Sequence, residues 1–179
     1  TINPTGASLF TVSGGTTVVS PTITTNYTIT GGSTAGCPAS NTVVSAVTVN
    51  TLPIIAVNSG SICSGNNFTI TPSGASTYTI QGGSAVKTPT ANATYTVIGT
   101  NTAGCVSSTF ATSTITVNTT PTIAVNSGSI CAGNNFTISP SGASTYTIQG
   151  GSAIKTPTSN TTYTVTGTSS AGCVSSSFA

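Results

Sequence analysis

Apolar and hydroxyl-bearing residues alternate along this chain in short runs. The clearest are Thr77-Tyr78-Thr79-Ile80 and Thr94-Tyr95-Thr96-Val97, where every second side chain is large and apolar. A period of two sorts side chains onto opposite faces of an extended strand. Phe68-Thr69-Ile70-Thr71 shows the same pattern and stops at Pro72-Ser73-Gly74. Ile54-Ile55-Ala56-Val57 reads as a first strand and Asn58-Ser59-Gly60 as the turn after it. Ala85-Val86-Lys87 reads as a short edge strand before Pro89, and a last strand runs from Phe110 through Ile115-Thr116-Val117. Gln81-Gly82-Gly83 and Asn101-Thr102-Ala103-Gly104 carry turn composition. The alternation directs Phe68, Ile70, Tyr78, Ile80, Tyr95, Val97, Ile115 and Val117 inward and the threonines outward. No segment has the spacing of an amphipathic helix. Six or seven short antiparallel strands in so few residues predict an all-β fold built of small β-sandwiches.

This pattern recurs at a fixed 68-residue period. The same step carries Cys37 onto Cys105, Cys105 onto Cys173, and Cys63 onto Cys131. Aligned without gaps, 52–111 and 120–179 differ at only 11 of 60 positions. Self-similarity at a fixed period marks an array of one structural unit. The expected units are 1–51, which lacks an N-terminal strand, 52–119, which is complete, and 120–179, which lacks a C-terminal strand. Pro53 and Pro121 mark the junctions, because proline cannot donate to a continuing ladder. The junctions hold no Gly/Ser tract, so a semi-rigid array is expected. Both ends fall inside a unit. The simpler expectation is a window onto a longer array; the sharper one is that a neighbour supplies the missing strands.

Composition narrows the chemistry. The chain has no Asp, Glu or His, and its only charged side chains are Lys87 and Lys155, one position in two repeats. Val19 stands at that position in repeat one. General acid–base catalysis draws mainly on His, Asp and Glu, and a serine or cysteine nucleophile needs a base beside it. Calcium and magnesium sites are built on carboxylates, and the cysteines are too far apart for ordinary zinc spacing. Two lysines do not make a nucleic-acid surface. No apolar run approaches the ~20 residues of a membrane span. The expectation is a non-enzymatic chain that uses no cofactor or metal. Its threonine rows suit self-association between identical repeats or contact with a glycan or solid surface.

Each full repeat carries one early and one late cysteine. Pairing them within a repeat, Cys63–Cys105 and Cys131–Cys173, closes loops of about 40 residues, worth about 4 kcal/mol each on the chain-entropy model. A unit of this size is small for a self-sufficient core, so such a staple is expected. Cys37 is then left with a partner outside the chain. The alternative joins neighbouring units through Cys37–Cys63 and Cys105–Cys131, two pairs with the same, shorter spacing. Either arrangement implies an oxidising location and secretion.

Repeat two carries Ser61-Ile62-Cys63-Ser64-Gly65, Pro72-Ser73-Gly74-Ala75, Tyr78-Thr79-Ile80, Thr94-Tyr95-Thr96-Val97, Gly99-Thr100, Ala103-Gly104-Cys105 and Thr116-Val117, and the other two units carry matching parts of this motif. It resembles the tandem immunoglobulin-like repeats of very large secreted surface proteins of Bacteroidetes, which are type IX secretion cargo and include gliding-motility adhesins. The resemblance implies small immunoglobulin-like sandwiches in series, one per sequence period. It also implies an extracellular fibre or stalk on a bacterial surface, with no catalytic residues.

Overall fold

The structure is a computed structural model that describes residues 1–175. Its strands recur at the sequence period, and no helix occurs among the described residues. The protein is all-β, as the alternation predicts. It divides into two compact units. The first comprises Thr1–Ile54, Ala75–Thr77 and Gly99–Ser108; the second comprises Ile55–Gly74, Tyr78–Ile98 and Thr109–Ala179. Repeat two therefore contributes to both.

The first unit contains a three-stranded antiparallel sheet of β1 (Leu9–Val12), β2 (Thr25–Gly32) and β3 (Pro38–Val47), in that order. The β2–β3 register shifts between Thr30 and Gly32. Ile2, Val12 and Ile29 form its buried cluster, with Phe10, Val19 and Tyr27 packed against it. Ile2 is fastened by its amide, which donates to the Thr17 carbonyl at 2.7 Å. A side-chain bond from Asn101 Nδ2 to the Thr51 carbonyl, at 2.8 Å, ties down the chain just before Pro53.

Mainly in the second unit, β4 (Gly60–Cys63), β6 (Thr77–Ile80), β8 (Ala93–Thr100) and β9 (Ala111–Asn118) make a sheet ordered β4-β9-β8-β6. β5 (Phe68–Thr69) pairs with β7 (Val86–Lys87) in a separate two-stranded sheet. Repeat three reproduces part of this pattern with β10 (Phe136–Thr137), β11 (Thr145–Ile148), β12 (Ile154–Lys155) and β13 (Val165–Thr168). The pairs β10–β12 and β11–β13 match β5–β7 and β6–β8. The predicted inward positions hold: Ile70, Val97 and Ile115 are almost fully buried, and the aromatic positions are half-buried. Phe110 is exposed and lies outside the last strand.

Two expectations fail around Asn58. Ile54–Val57 does not form a strand; it makes only a bridge between Ala56 and Ser73. The segment read as a turn leads directly into β4, and β4 pairs with β9 in parallel, not antiparallel. The Asn58 side chain explains the change. Its amide donates to the Thr69 carbonyl at 2.9 Å, and its Oδ1 accepts from the Thr71 amide at 2.7 Å. It thus copies a backbone ladder step toward the β5 side. Its own carbonyl accepts from the Ser113 hydroxyl on β9 at 2.7 Å. One residue faces both sheets, and the chain crosses from one to the other there.

The tight turn predicted at Gln81-Gly82-Gly83 forms, with the Gly83 amide donating to the Ile80 carbonyl at 2.9 Å. Gly82 and Gly83 both have φ of +74°, a conformation that disfavours any other residue. Deleting side chain from the centre of the β4-β9-β8-β6 sheet is expected to cost most. Ile115→Ala should lower unfolding free energy by about 2–5 kcal/mol, measured by denaturant titration, whereas Thr114→Ala, on the exposed face of the same strand, should change it by less than ~1 kcal/mol.

Candidate functional site

The cysteines were the candidate site residues, and the structure pairs them differently from the expectation. Cys63 is bonded to Cys173 across a sequence separation of 110 residues. Cys37, Cys105 and Cys131 are free. The bridges Cys63–Cys105 and Cys131–Cys173 do not form, and neither do the alternatives Cys37–Cys63 and Cys105–Cys131.

Strand direction supplies the reason. Parallel pairing sets Cys63 opposite Asn118, the last residue of β9. The Ser64 amide continues the contact by donating to the Asn118 carbonyl at 2.9 Å. β8 runs antiparallel to β9, with Val97 opposite Ala111 and Ala93 opposite Ile115. The chain leading to Cys105 therefore leaves β8 beside the start of β9. At ~3.3 Å per residue, the two ends of β9 are roughly 23 Å apart, far beyond the ~4.4–6.8 Å between Cα atoms that a disulfide spans. Cys173 instead lies at the Asn118 end. Its Sγ is 3.8 Å from the Asn118 carbonyl oxygen, and the residue is fully buried. The bridge thus links the early cysteine of repeat two to the late cysteine of repeat three.

The two lysines serve the glycine turns. Lys87 is buried; its Nζ donates to the Gln81 carbonyl at 2.6 Å and lies 4.7 Å from the centroid of the Tyr95 ring. Gln81 Oε1 in turn accepts from the Thr96 amide at 3.1 Å. Repeat three builds the same clamp from Lys155, Gln149, Thr164 and Tyr163. Repeat one, with Val19 in place of the lysine, keeps only the amide contact, Ser13 Oγ accepting from the Thr28 amide at 3.0 Å. Sequence reading found the lysine position but not this use of it. The signal was Ser13, Gln81 and Gln149, one position in the three repeats, each followed by a Gly-Gly pair.

Each unit also holds an open cavity. In the first, one of about 530 Å³ is bordered by Thr1–Ala7 residues, Phe10 and Ile29. In the second, one of about 640 Å³ lies within repeat three, between residues 125–132 and 157–163. Its lining is uncharged and mixes Asn and Ser with Ile130, Phe136 and Tyr163. Among the described residues no cluster of three metal-ligating side chains occurs, and no helix is long and apolar enough to cross a membrane. No protein-family model matches the chain, and no curated protein matches it significantly.

Three measurements check this picture. Non-reducing peptide mapping should recover a Cys63–Cys173 linked peptide, and Cys173→Ser should lower stability by about 5 kcal/mol on the chain-entropy model for so long a loop; a Cys63–Cys105 peptide would contradict the strand order. Lys87→Val, the residue repeat one uses, should cost no more than about 2 kcal/mol, since the replacement loses one hydrogen bond and one ring contact but buries no charge. Thermal unfolding of the variant checks it.

Proposed function

We propose that this chain is a structural segment of an extracellular filament or stalk, made of disulfide-stapled immunoglobulin-like repeats in series. The observation that carries the reading is the recurrence of strands at the sequence period. β6 and β11, β5 and β10, and β7 and β12 each start one period apart, and β1 precedes β6 by the same step. A copied backbone unit joined by a repeated junction advances by a fixed rotation and translation, which generates a regular fibre.

Four further features support it. The separate small sheets, with a chain that crosses between them at Asn58, suit a sandwich of immunoglobulin type. An intramolecular disulfide suits an oxidising, secreted environment. The near-absence of charge removes the repulsion that keeps most proteins apart, and it favours identical repeats as the partner. The likeness of the motif to Bacteroidetes surface repeats points to a bacterial cell surface.

Negative-stain electron microscopy of the secreted native material tests the reading. Filaments with an axial repeat equal to the length of one or a few sequence repeats are expected. Separate, irregularly bent strings would instead identify a passive spacer.

A further inference from the structure

We infer that this fold is indifferent to acid. Amide side chains hold anchoring positions that a carboxylate could fill, so protons in the range of about pH 2–6 neither loosen the fold nor change its side-chain charge.

The anchors between segments are side-chain oxygens that accept backbone amides. At Asn58 and Asn101 the geometry requires an amide, because the same group also donates. Asn58 Oδ1 accepts from the Thr71 amide while its Nδ2 donates to the Thr69 carbonyl. Asn101 Oδ1 accepts from the Ala103 and Cys105 amides at 3.0 and 2.9 Å while its Nδ2 donates to the Thr51 carbonyl. A carboxylate has no such donor. Asn92 and Gln81 differ, since their bonds use the oxygen. Asn92 Oδ1 accepts from the Val117 amide, and Gln81 Oε1 from the Thr96 amide. An ionised acceptor makes a stronger bond to an amide than a neutral one. The neutral group therefore stands where the ionised one would bind more tightly.

Gln81 shows this best, because a cation lies beside it. Lys87 Nζ donates to the Gln81 carbonyl at 2.6 Å and lies 4.7 Å from the centroid of the Tyr95 ring. A buried ammonium is ordinarily paired with a carboxylate. Here a carbonyl dipole and a ring hold it, and neither is an anion that acid can neutralise. Repeat three has the same arrangement in Gln149, Lys155, Thr164 and Tyr163.

Stability depends on pH only through groups that bind protons differently in the folded and unfolded chain. Asp, Glu and His are the side chains whose ordinary titration falls between about pH 3 and 7, and the chain has none. Acid unfolding of ordinary domains comes mostly from carboxylates that lose their partners on protonation. The positive charge left behind then repels itself. This chain escapes both effects, because its formal charge of +2 comes from two lysines and no carboxylate offsets it. A contact between its uncharged faces is not switched by protons either. The inference stands apart from the filament reading, because it concerns a single chain.

Urea titration of the oxidised full-length chain at pH 2, 4 and 6 provides the test. The unfolding free energies should agree within the roughly 10–15% error of the extrapolation, and a larger fall at pH 2 overturns the inference. Gln81→Glu then tests the position. The titratable groups around it are Lys87 of β7 and Tyr95 of β8. The Thr96 amide and the Lys87 ammonium favour the ionised form of the introduced carboxyl, so its folded pKa lies below the unfolded value of about 4.3. The stability it adds is present above that value and is lost as pH falls through the folded pKa. The unfolding constant of the variant should rise at least about threefold from pH 6 to pH 2, the effect of half a pKa unit, while the parent stays flat. Gln149→Glu makes the same change in repeat three and serves if the first variant does not fold. A folded variant as flat as the parent overturns the role assigned to the amides.

Discussion

Strand β9 is the member on which the second unit's main sheet depends. It pairs on both edges, in parallel with β4 and antiparallel with β8, and it carries the fully buried Ser113 and Ile115. Its direction decides where the ends of its neighbours fall. Because β4 runs with it, Cys63 arrives at Asn118; because β8 runs against it, the loop bearing Cys105 starts from the other end. The disulfide partner is then whichever late cysteine reaches Asn118, and that is Cys173. A covalent bond between residues so distant in sequence is thus a consequence of one short parallel pairing.

The strands were legible in the sequence because each alternation is local. Thr77–Ile80 forms as read, and Thr94–Val97 sits inside the longer β8. Val97 and Ile115 are buried because period two leaves them no other face. What was not legible depends on distant partners. Asn58-Ser59-Gly60 has turn composition, yet it delivers the chain to β4, since the Asn58 side chain satisfies one sheet while Ser59 Oγ and the Asn58 carbonyl meet the other. Nothing in the neighbouring residues reveals that β9, far along the chain, is the partner. The cysteine pairing failed for the same reason. Loop-closure entropy favours a bridge only weakly by length, so it cannot choose between early and late cysteines whose positions are fixed by strand direction.

A chain without carboxylate side chains must hold itself together by other means, and the amide and hydroxyl side chains supply them. Asn58, Asn92 and Gln81 each accept a backbone amide from a neighbouring strand or segment, and Ser59 and Ser13 do the same. These groups stand where a β-sheet edge would otherwise leave donors unmet. Every buried side-chain nitrogen or oxygen among the described residues has a partner. Such bonds are short-ranged and insensitive to salt, unlike the surface ion pairs of ordinary domains. The outer face is left to threonine, which stays wet without carrying charge.

Near-identical sequence yields two structures within one chain. Gly60–Cys63 is a strand, whereas the same four residues at 128–131 are not. Intrinsic propensity is identical for the two copies, so the strand at Gly60–Cys63 comes with its pairing to β9, as expected where β-structure is set by pairing more than by composition. The thiols divide in the same way. Cys63 and Cys173 are the only two cysteines with a sequence separation of 110, and they are the two that bond. Cys37, Cys105 and Cys131 remain free. The one bridge among the described residues therefore joins two sequence repeats instead of closing one of them.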